Sequence, residues 1–171
     1  MKLIMENWRK FSLKESNRDP ISTLRKDYEN TGYKNLPNFS DLLSDESNSI
    51  MTALYYIDIL DSKNGGLRKM REMLETYFLS GFKINQKIID AVIKKSIALI
   101  DSIEQQTSNP NITIENFFGI LVRVFEENSE LINKKLISDL LLASESYTGL
   151  LYDTENREKL ETFVESEQKE I

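Results

Sequence analysis

The chain has 171 residues, 40% hydrophobic and 29% charged, with Gly and Pro together filling only nine positions, which suits one domain with its own core and disfavours a turn-rich sheet architecture. A net charge of −6 and a pI near 4.9 weigh against extended binding to a nucleic-acid backbone, although a local basic patch stays open. Cysteine and histidine are both absent, which removes disulfides, thiol nucleophiles, iron–sulfur clusters, Cys/His zinc sites, Ser-His-Asp triads and Glu-x-x-His di-iron centres together.

Residues 1–11, M-K-L-I-M-E-N-W-R-K-F, contain the only tryptophan, Trp8. As a helix, this segment sets Met1, Ile4, Met5, Trp8 and Phe11 on one face, at steps of three and four, with Lys2, Glu6, Arg9 and Lys10 off it. An apolar stripe of two or three turns does not support itself in water and needs a partner surface. Glu6, Arg9 and Lys10 interrupt any apolar core, so the segment is unlike a secretory signal. No run in the chain reaches the roughly 18 to 20 apolar residues of a membrane span.

Residues 12–38 read as a polar linker or arm, rich in Asn, Asp, Gly and Pro. Within it, Asp19 is placed to cap a short helix with Pro20 at its first position, Leu24 and Tyr28 on one face and Gly32 at its end. Charge divides at the same place: residues 1–38 hold eight Lys/Arg against five Asp/Glu, a net +3, and residues 39–171 hold 14 against 23, a net −9. The pattern is a basic arm on an acidic body.

From residue 39 to 171 the periodicity predicts an all-α bundle of five to six helices. A short turn through Leu42 and Leu43 follows a Ser40 cap. The first long helix follows Ser47, with Ile50, Met51, Leu54, Ile57 and Leu60 as its stripe and Asn64-Gly65-Gly66 as its break. The second runs from about Leu67 to Leu79, turns Met70, Met73, Leu74, Tyr77 and Phe78 inward, and closes at Gly81. Asn85 caps the third, from about Gln86 to Gln105, whose broad apolar face carries Ile88, Ile89, Val92, Ile93, Ser96, Ile97, Ile100 and Ile103. After Pro110, Thr113 is the expected cap of a helix through Phe117, Phe118, Leu121, Val122 and Phe125. β-Branched alternation over Ile112, Ile114, Ile120, Val122 and Val124 also permits a strand there, but the aromatic pairs fit a helical stripe better. Ser129 is expected to cap the next helix, through Leu131, Ile132, Leu136, Ile137, Leu140 and Leu141 at nearly heptad spacing. A break at Tyr147 to Asp153 precedes a last helix, capped by Thr154, with Leu160, Phe163 and Val164 packed on the bundle.

Each spacing that could carry chemistry also has a structural reading, and the structural reading is preferred in every case. Ser80-x-x-Lys83 has the spacing of a serine nucleophile and its base, yet it sits at a helix end without companion motifs. Asp61 to Gly66 resembles a calcium loop only loosely, since Lys63 occupies a ligand position. Gly65-Gly66 before Leu67 could hold an anion at a helix start, but reads as a tight interhelical turn. The carboxylates Glu104, Glu115, Glu126, Glu127, Asp139 and Glu145 lie where solvated charge is usual. Tyr55, Tyr56, Tyr77, Phe78, Phe117, Phe118 and Phe125 read as core. The expectation is therefore no catalytic residue, no metal site and no cofactor.

The leader, with its Met5-Glu6-Asn7-Trp8-Arg9-Lys10-Phe11 core, is similar to an N-terminal peptide of otherwise unrelated tailed-bacteriophage proteins, especially those of large marine phages. It also resembles the short amphipathic leaders that direct internal head proteins of contractile-tailed phages into the prohead. The prohead protease of such phages generally cuts after Leu/Ile-x-Glu, a pattern matched by Ile4-Met5-Glu6 and Leu13-Lys14-Glu15. The resemblance covers about a tenth of the chain and implies a phage setting, in the virion or the host cytoplasm. Joined to the bundle, it implies a non-enzymatic structural or internal virion protein whose leader docks on a protein partner through Ile4, Met5, Trp8, Arg9, Lys10 and Phe11, with no nucleic acid and no membrane involved. The alternatives are a leader folded back on its own bundle, a phage-encoded regulator that binds a host factor, a leader lying on a membrane surface and, last, a carboxylate-dependent hydrolase.

Overall fold

The computed structural model describes residues 30, 36, 38–43, 46–148 and 155–166. The chain divides between residues 35 and 36, and the account of the fold concerns the unit from 36 onward. The leader 1–11 and, apart from Asn30, the helix expected between Asp19 and Gly32 lie outside the described residues. The unit is an all-α helical bundle: α1 (Phe39–Leu42), α2 (Glu46–Ile59), α3 (Gly66–Leu79), α4 (Gln86–Ile100), α5 (Ile103–Gln106), α6 (Pro110–Glu127), α7 (Lys134–Thr148) and α8 (Glu155–Glu165). A 3-10 turn, Ser129–Leu131, links α6 to α7. α1 and α5 are single turns, which leaves six longer helices and no strand among the described residues. Ile112–Val124, where alternation permitted a strand, lies within α6.

The helix starts show which local signals prevail. Asn85 caps α4 as expected, its side-chain oxygen accepting from the Ile88 N–H at 3.0 Å. Ser40 does not cap; it sits inside α1, which starts after Asn38. Thr113 is likewise internal, because α6 starts at Pro110, where the missing N–H costs nothing. The Thr113 hydroxyl donates back to the Asn109 carbonyl at 3.1 Å. Ser129 opens the 3-10 turn that buries Leu131, and it is Asn133 that receives the Leu136 N–H at the start of α7, at 3.2 Å. The long third helix expected to reach Gln105 breaks at Asp101–Ser102, and α5 carries its last turn separately. Thr154 lies outside the described residues.

Burial follows the predicted stripes outside α2, with Phe78, Ile97 and Leu136 only half-buried, and departs from them in α2. Ala53, Tyr55, Tyr56, Ile57, Ile59 and Leu60 are buried there, while Met51 is 45% exposed. α2 is apolar on more than one side, so periodicity alone leaves its rotation open, and neighbours choose it. Tyr56 meets Phe39 edge-on at 5.1 Å, and the buried hydroxyls of Ser49 and Tyr77 lie 3.1 Å apart. α6 is extensively covered, with Ile114, Phe117, Phe118, Ile120, Leu121, Val122, Val124 and Phe125 all buried. It packs on α3, α7 and α8, while α4 packs on α2 and α7. The last helix docks as expected: Leu160 is fully buried, and Phe163 meets Phe125 edge-on at 6.1 Å. At the open end of this hairpin the Lys134 ammonium donates to the Ser166 carbonyl.

The α2–α3 turn is held from both sides. Asp61 Oδ1 accepts from the N–H groups of Lys63 and Asn64 at 2.8 and 2.9 Å, and the Asn64 amide donates to the Ile59 carbonyl at 2.7 Å. From the far side, Gln106 Oε1 accepts the Leu67 N–H at 2.9 Å, while its Nε2 donates to the Leu99 carbonyl at 2.6 Å and to Ser102 Oγ at 3.1 Å. One amide thus satisfies groups at the start of α3 and the end of α4 that their own helices leave open. Gly66 is required beneath it, since its φ is +53° and a Cβ would collide with the Gln106 amide. Gln106→Ala is expected to cost about 1–3 kcal/mol in chemical denaturation. Gly66→Ala should be destabilising in the wild type and markedly less so in the Gln106→Ala background, because only the backbone strain then remains; equal penalties in the two backgrounds would refute the close approach.

Candidate functional site

The residues singled out in the leader, Ile4, Met5, Trp8, Arg9, Lys10 and Phe11, lie outside the described residues. Other spacings resolve into local structure. Ser80 Oγ donates to the Thr76 carbonyl at 2.6 Å, closing α3. Asp61 is engaged within its own turn, and the Leu67 N–H at the start of α3 is occupied by Gln106. Among the described residues no group of three or more acidic side chains is gathered in a way that would hold a metal ion, and no helix is long and apolar enough to cross a membrane. Glu104 on α5, Glu127 at the end of α6, and Asp139 and Glu145 on α7 are all exposed. Tyr55, Tyr56, Tyr77, Phe117, Phe118 and Phe125 are core, whereas Phe78 is half-buried at the edge of the feature described next.

α3, α6 and α8 enclose a polar cleft of about 310 Å³, lined by Arg71 and Glu75 from α3, Asn116, Gly119, Arg123 and Glu126 from α6, and Asn156 and Lys159 from α8. Helical spacing builds it: Asn116, Gly119, Arg123 and Glu126 follow at steps of three and four, so they share the one side of α6 that does not face the core. Gly119 keeps the floor low. A Cβ there would stand 3.3 Å from the Asn156 amide nitrogen, tighter than most such contacts. The Asn156 backbone N–H, in the first turn of α8, donates to Glu115 Oε1 at 3.3 Å and ties that end of α8 to α6.

The charged groups in the cleft differ in how they are matched. Arg123 lies over the Phe78 ring at 5.7 Å and is 4.0 Å from Glu75, an exposed and long pair of little energetic weight. Lys159 is 3.0 Å from Glu155 and 3.8 Å from Glu126. The hydrogen bond and charge of Glu155, with a smaller contribution from Glu126, hold the Lys159 ammonium above the ordinary lysine value of 10.5, against a small opposing effect of burial. Arg71 stands apart. Its Nε is buried without a hydrogen-bond acceptor, and among the described residues it forms no ion pair. A buried donor left unmatched costs about 1–3 kcal/mol. Arg123 and Lys159 have carboxylate partners in Glu75, Glu126 and Glu155, and among the described residues Arg71 is the cation of the lining without one.

Sequence reading missed this cleft. Arg71, Arg123 and Lys159 sit on helices far apart in the chain, and nothing in their local spacing joins them. One signal was available: Gly119 interrupts an otherwise strongly apolar helix, where glycine costs about 1 kcal/mol relative to alanine and marks a close approach. In comparisons with protein families, curated proteins and solved structures, nothing matches this chain.

Two outcomes follow for stability. Arg71→Met keeps the aliphatic packing and removes the unmatched donor, so it should raise stability in denaturant titration by about 1 kcal/mol. Lys159 has a raised pKa when folded, so its pairing with Glu155 is fully present below the unfolded value of 10.5 and is lost as pH rises above it. The difference in melting temperature between wild type and Lys159→Met should therefore stay constant through neutral pH and shrink only in strong alkali.

Proposed function

We propose that this chain is a non-enzymatic phage protein, a structural or internal component of the virion, whose leader docks on a protein partner. The observation that carries the reading is the amphipathic stripe of residues 1–11, which holds the only tryptophan beside Ile4, Met5 and Phe11. The mechanism is recognition of an amphipathic helix in an apolar groove. Trp8 is the main anchor, Phe11, Ile4 and Met5 fill neighbouring positions, and Arg9 and Lys10 pair with acidic groups around the groove. Support comes from the likeness of this leader to those of tailed-phage proteins and from the two Leu/Ile-x-Glu sites ending at Glu6 and Glu15. An all-α body of well-packed helices is suited to serve as the folded cargo of such a leader. The partner is another phage protein or a host factor, and the protein resides in the virion or the host cytoplasm.

A fusion of residues 1–15 to a fluorescent protein, made in infected cells, is expected to co-purify with phage particles. Trp8→Ala should lower that recovery by roughly thirtyfold, the effect of losing a binding anchor of about 2 kcal/mol. Particles that contain the full-length protein but exclude the fusion would reject the docking leader. Intact mass of the chain recovered from particles reports cleavage after Glu6 or Glu15.

A further inference from the structure

We propose that the cleft between α3, α6 and α8 binds a small anionic molecule through its carboxylate or phosphate group, with Arg71 as the principal ligand. The site is independent of the leader and of the partner that the leader would engage. Arg71 carries the first part of the case. Its buried Nε–H has no acceptor, and the guanidinium offers a rigid fork of N–H donors that matches two oxygens of a carboxylate or phosphate. Arg71 lines the cleft while its Nε is closed to solvent, so an oxyanion meets the guanidinium from the cleft side and reaches the Nε–H only as the side chain turns toward it, which gives that donor the acceptor it lacks.

The remaining lining suits the same ligand. Asn116 on α6 and Asn156 on α8 bring side-chain amides, which donate N–H groups, and Gly119 lets the Asn156 amide lie close against α6 at the cleft. Arg123 and Lys159 are held by Glu75 and Glu126 at 4.0 and 3.8 Å, long pairs that an incoming anion can displace at little cost. Glu155, at 3.0 Å, keeps Lys159 in place beside the opening. About 310 Å³ is at the low end of small-molecule pockets, which restricts the guest to a few heavy atoms beyond its anionic group. The body of the chain is acidic, with a net −9 over residues 39–171, so long-range attraction contributes nothing and binding rests on local contacts. Inorganic phosphate or acetate, lacking the rest of the ligand, should accordingly bind with a dissociation constant of about 1 mM, some 4 kcal/mol.

The test uses the full chain labelled with nitrogen-15, with the arginine Nε–Hε signals assigned through bonds. Sodium phosphate and sodium acetate are titrated separately at constant ionic strength set by chloride. A saturable shift of the Arg71 Nε–Hε signal, together with the amides of Gly119 and Asn156, is expected. Response to phosphate alone assigns a tetrahedral oxyanion, response to acetate alone a planar one, and response to both a general oxyanion site. Arg68, 68% exposed and paired with Glu72 on the same helix but outside the cleft, should shift only linearly. A linear or absent response at Arg71, or one equal to that at Arg68, overturns the proposal. In melting experiments, phosphate at about ten times its dissociation constant should stabilise wild type and Arg68→Met but not Arg71→Met. Equal stabilisation of all three likewise overturns it, and if Arg71→Met fails to fold, the titration of the wild-type protein decides alone.

Discussion

Burial of α6 on several sides at once is the constraint from which the rest of the bundle takes its arrangement. Eight of its side chains are buried, among them Phe117, Phe118 and Phe125, and a helix of that kind is stable only when neighbours cover most of its circumference. α3, α7 and α8 supply that cover. Full burial of one large aromatic is worth about 2–3 kcal/mol in transfer free energy, so no single polar contact in the fold competes with the three phenylalanines in deciding which helices lie together. Polar contacts instead select among apolar arrangements of similar merit. Gln106 shows how: its amide links the Leu67 N–H in the first turn of α3 to the Leu99 carbonyl in the last turn of α4, to which Ser102 also donates, and so ties two helix ends together.

The helical class and most inward residues of α3, α4 and α8 were legible because each has one dominant apolar stripe, while in α6 the aromatic pairs gave the helix and left out Ile114, Ile120 and Val124, which are buried with them. Asn85 was legible as a cap for the same reason: it is the one polar cap former directly before its periodic run. The misplaced starts arose where two signals lay within one turn. Thr113 competed with Pro110, which suits the first helical position because its missing N–H costs nothing there, and Ser129 with Asn133, which receives the Leu136 N–H while Ser129 opens the 3-10 turn. Met51 was expected inside for a related reason. With Tyr55, Tyr56, Ile57, Ile59 and Leu60 all apolar, α2 has no single preferred face, and the contacts of Tyr56 with Phe39 and Ser49 with Tyr77 settle its rotation.

The cleft was not legible, and the reason is general. The spacing of Asn116, Gly119, Arg123 and Glu126 marks one face of α6, but nothing in the sequence says that Arg71 and Glu75 of α3 and Asn156 and Lys159 of α8 stand opposite that face, because this is set by the angles between the helices. What the sequence does carry is a local inconsistency, a glycine in the middle of α6, and such departures from the best local choice are where function tends to sit. Arg71 is the same kind of departure in three dimensions, a cation placed where its N–H lacks a partner. The leader is the opposite case, since its pattern is local and readable while its partner is not.

The three walls of the cleft are unequally anchored, and this bears on how a guest would enter. α3 and α6 contribute rows of fully buried side chains, but α8 contributes only Leu160, with Phe163 and Val164 partly covered and its two ends held by the Asn156–Glu115 and Lys134–Ser166 contacts. Its amide protons should therefore exchange with solvent through detachment of α8 alone, well before global unfolding releases those of α6. The wall that swings away most readily is also the one that carries Asn156 and Lys159, so occupancy of the cleft and protection of 155–165 from exchange are thermodynamically linked.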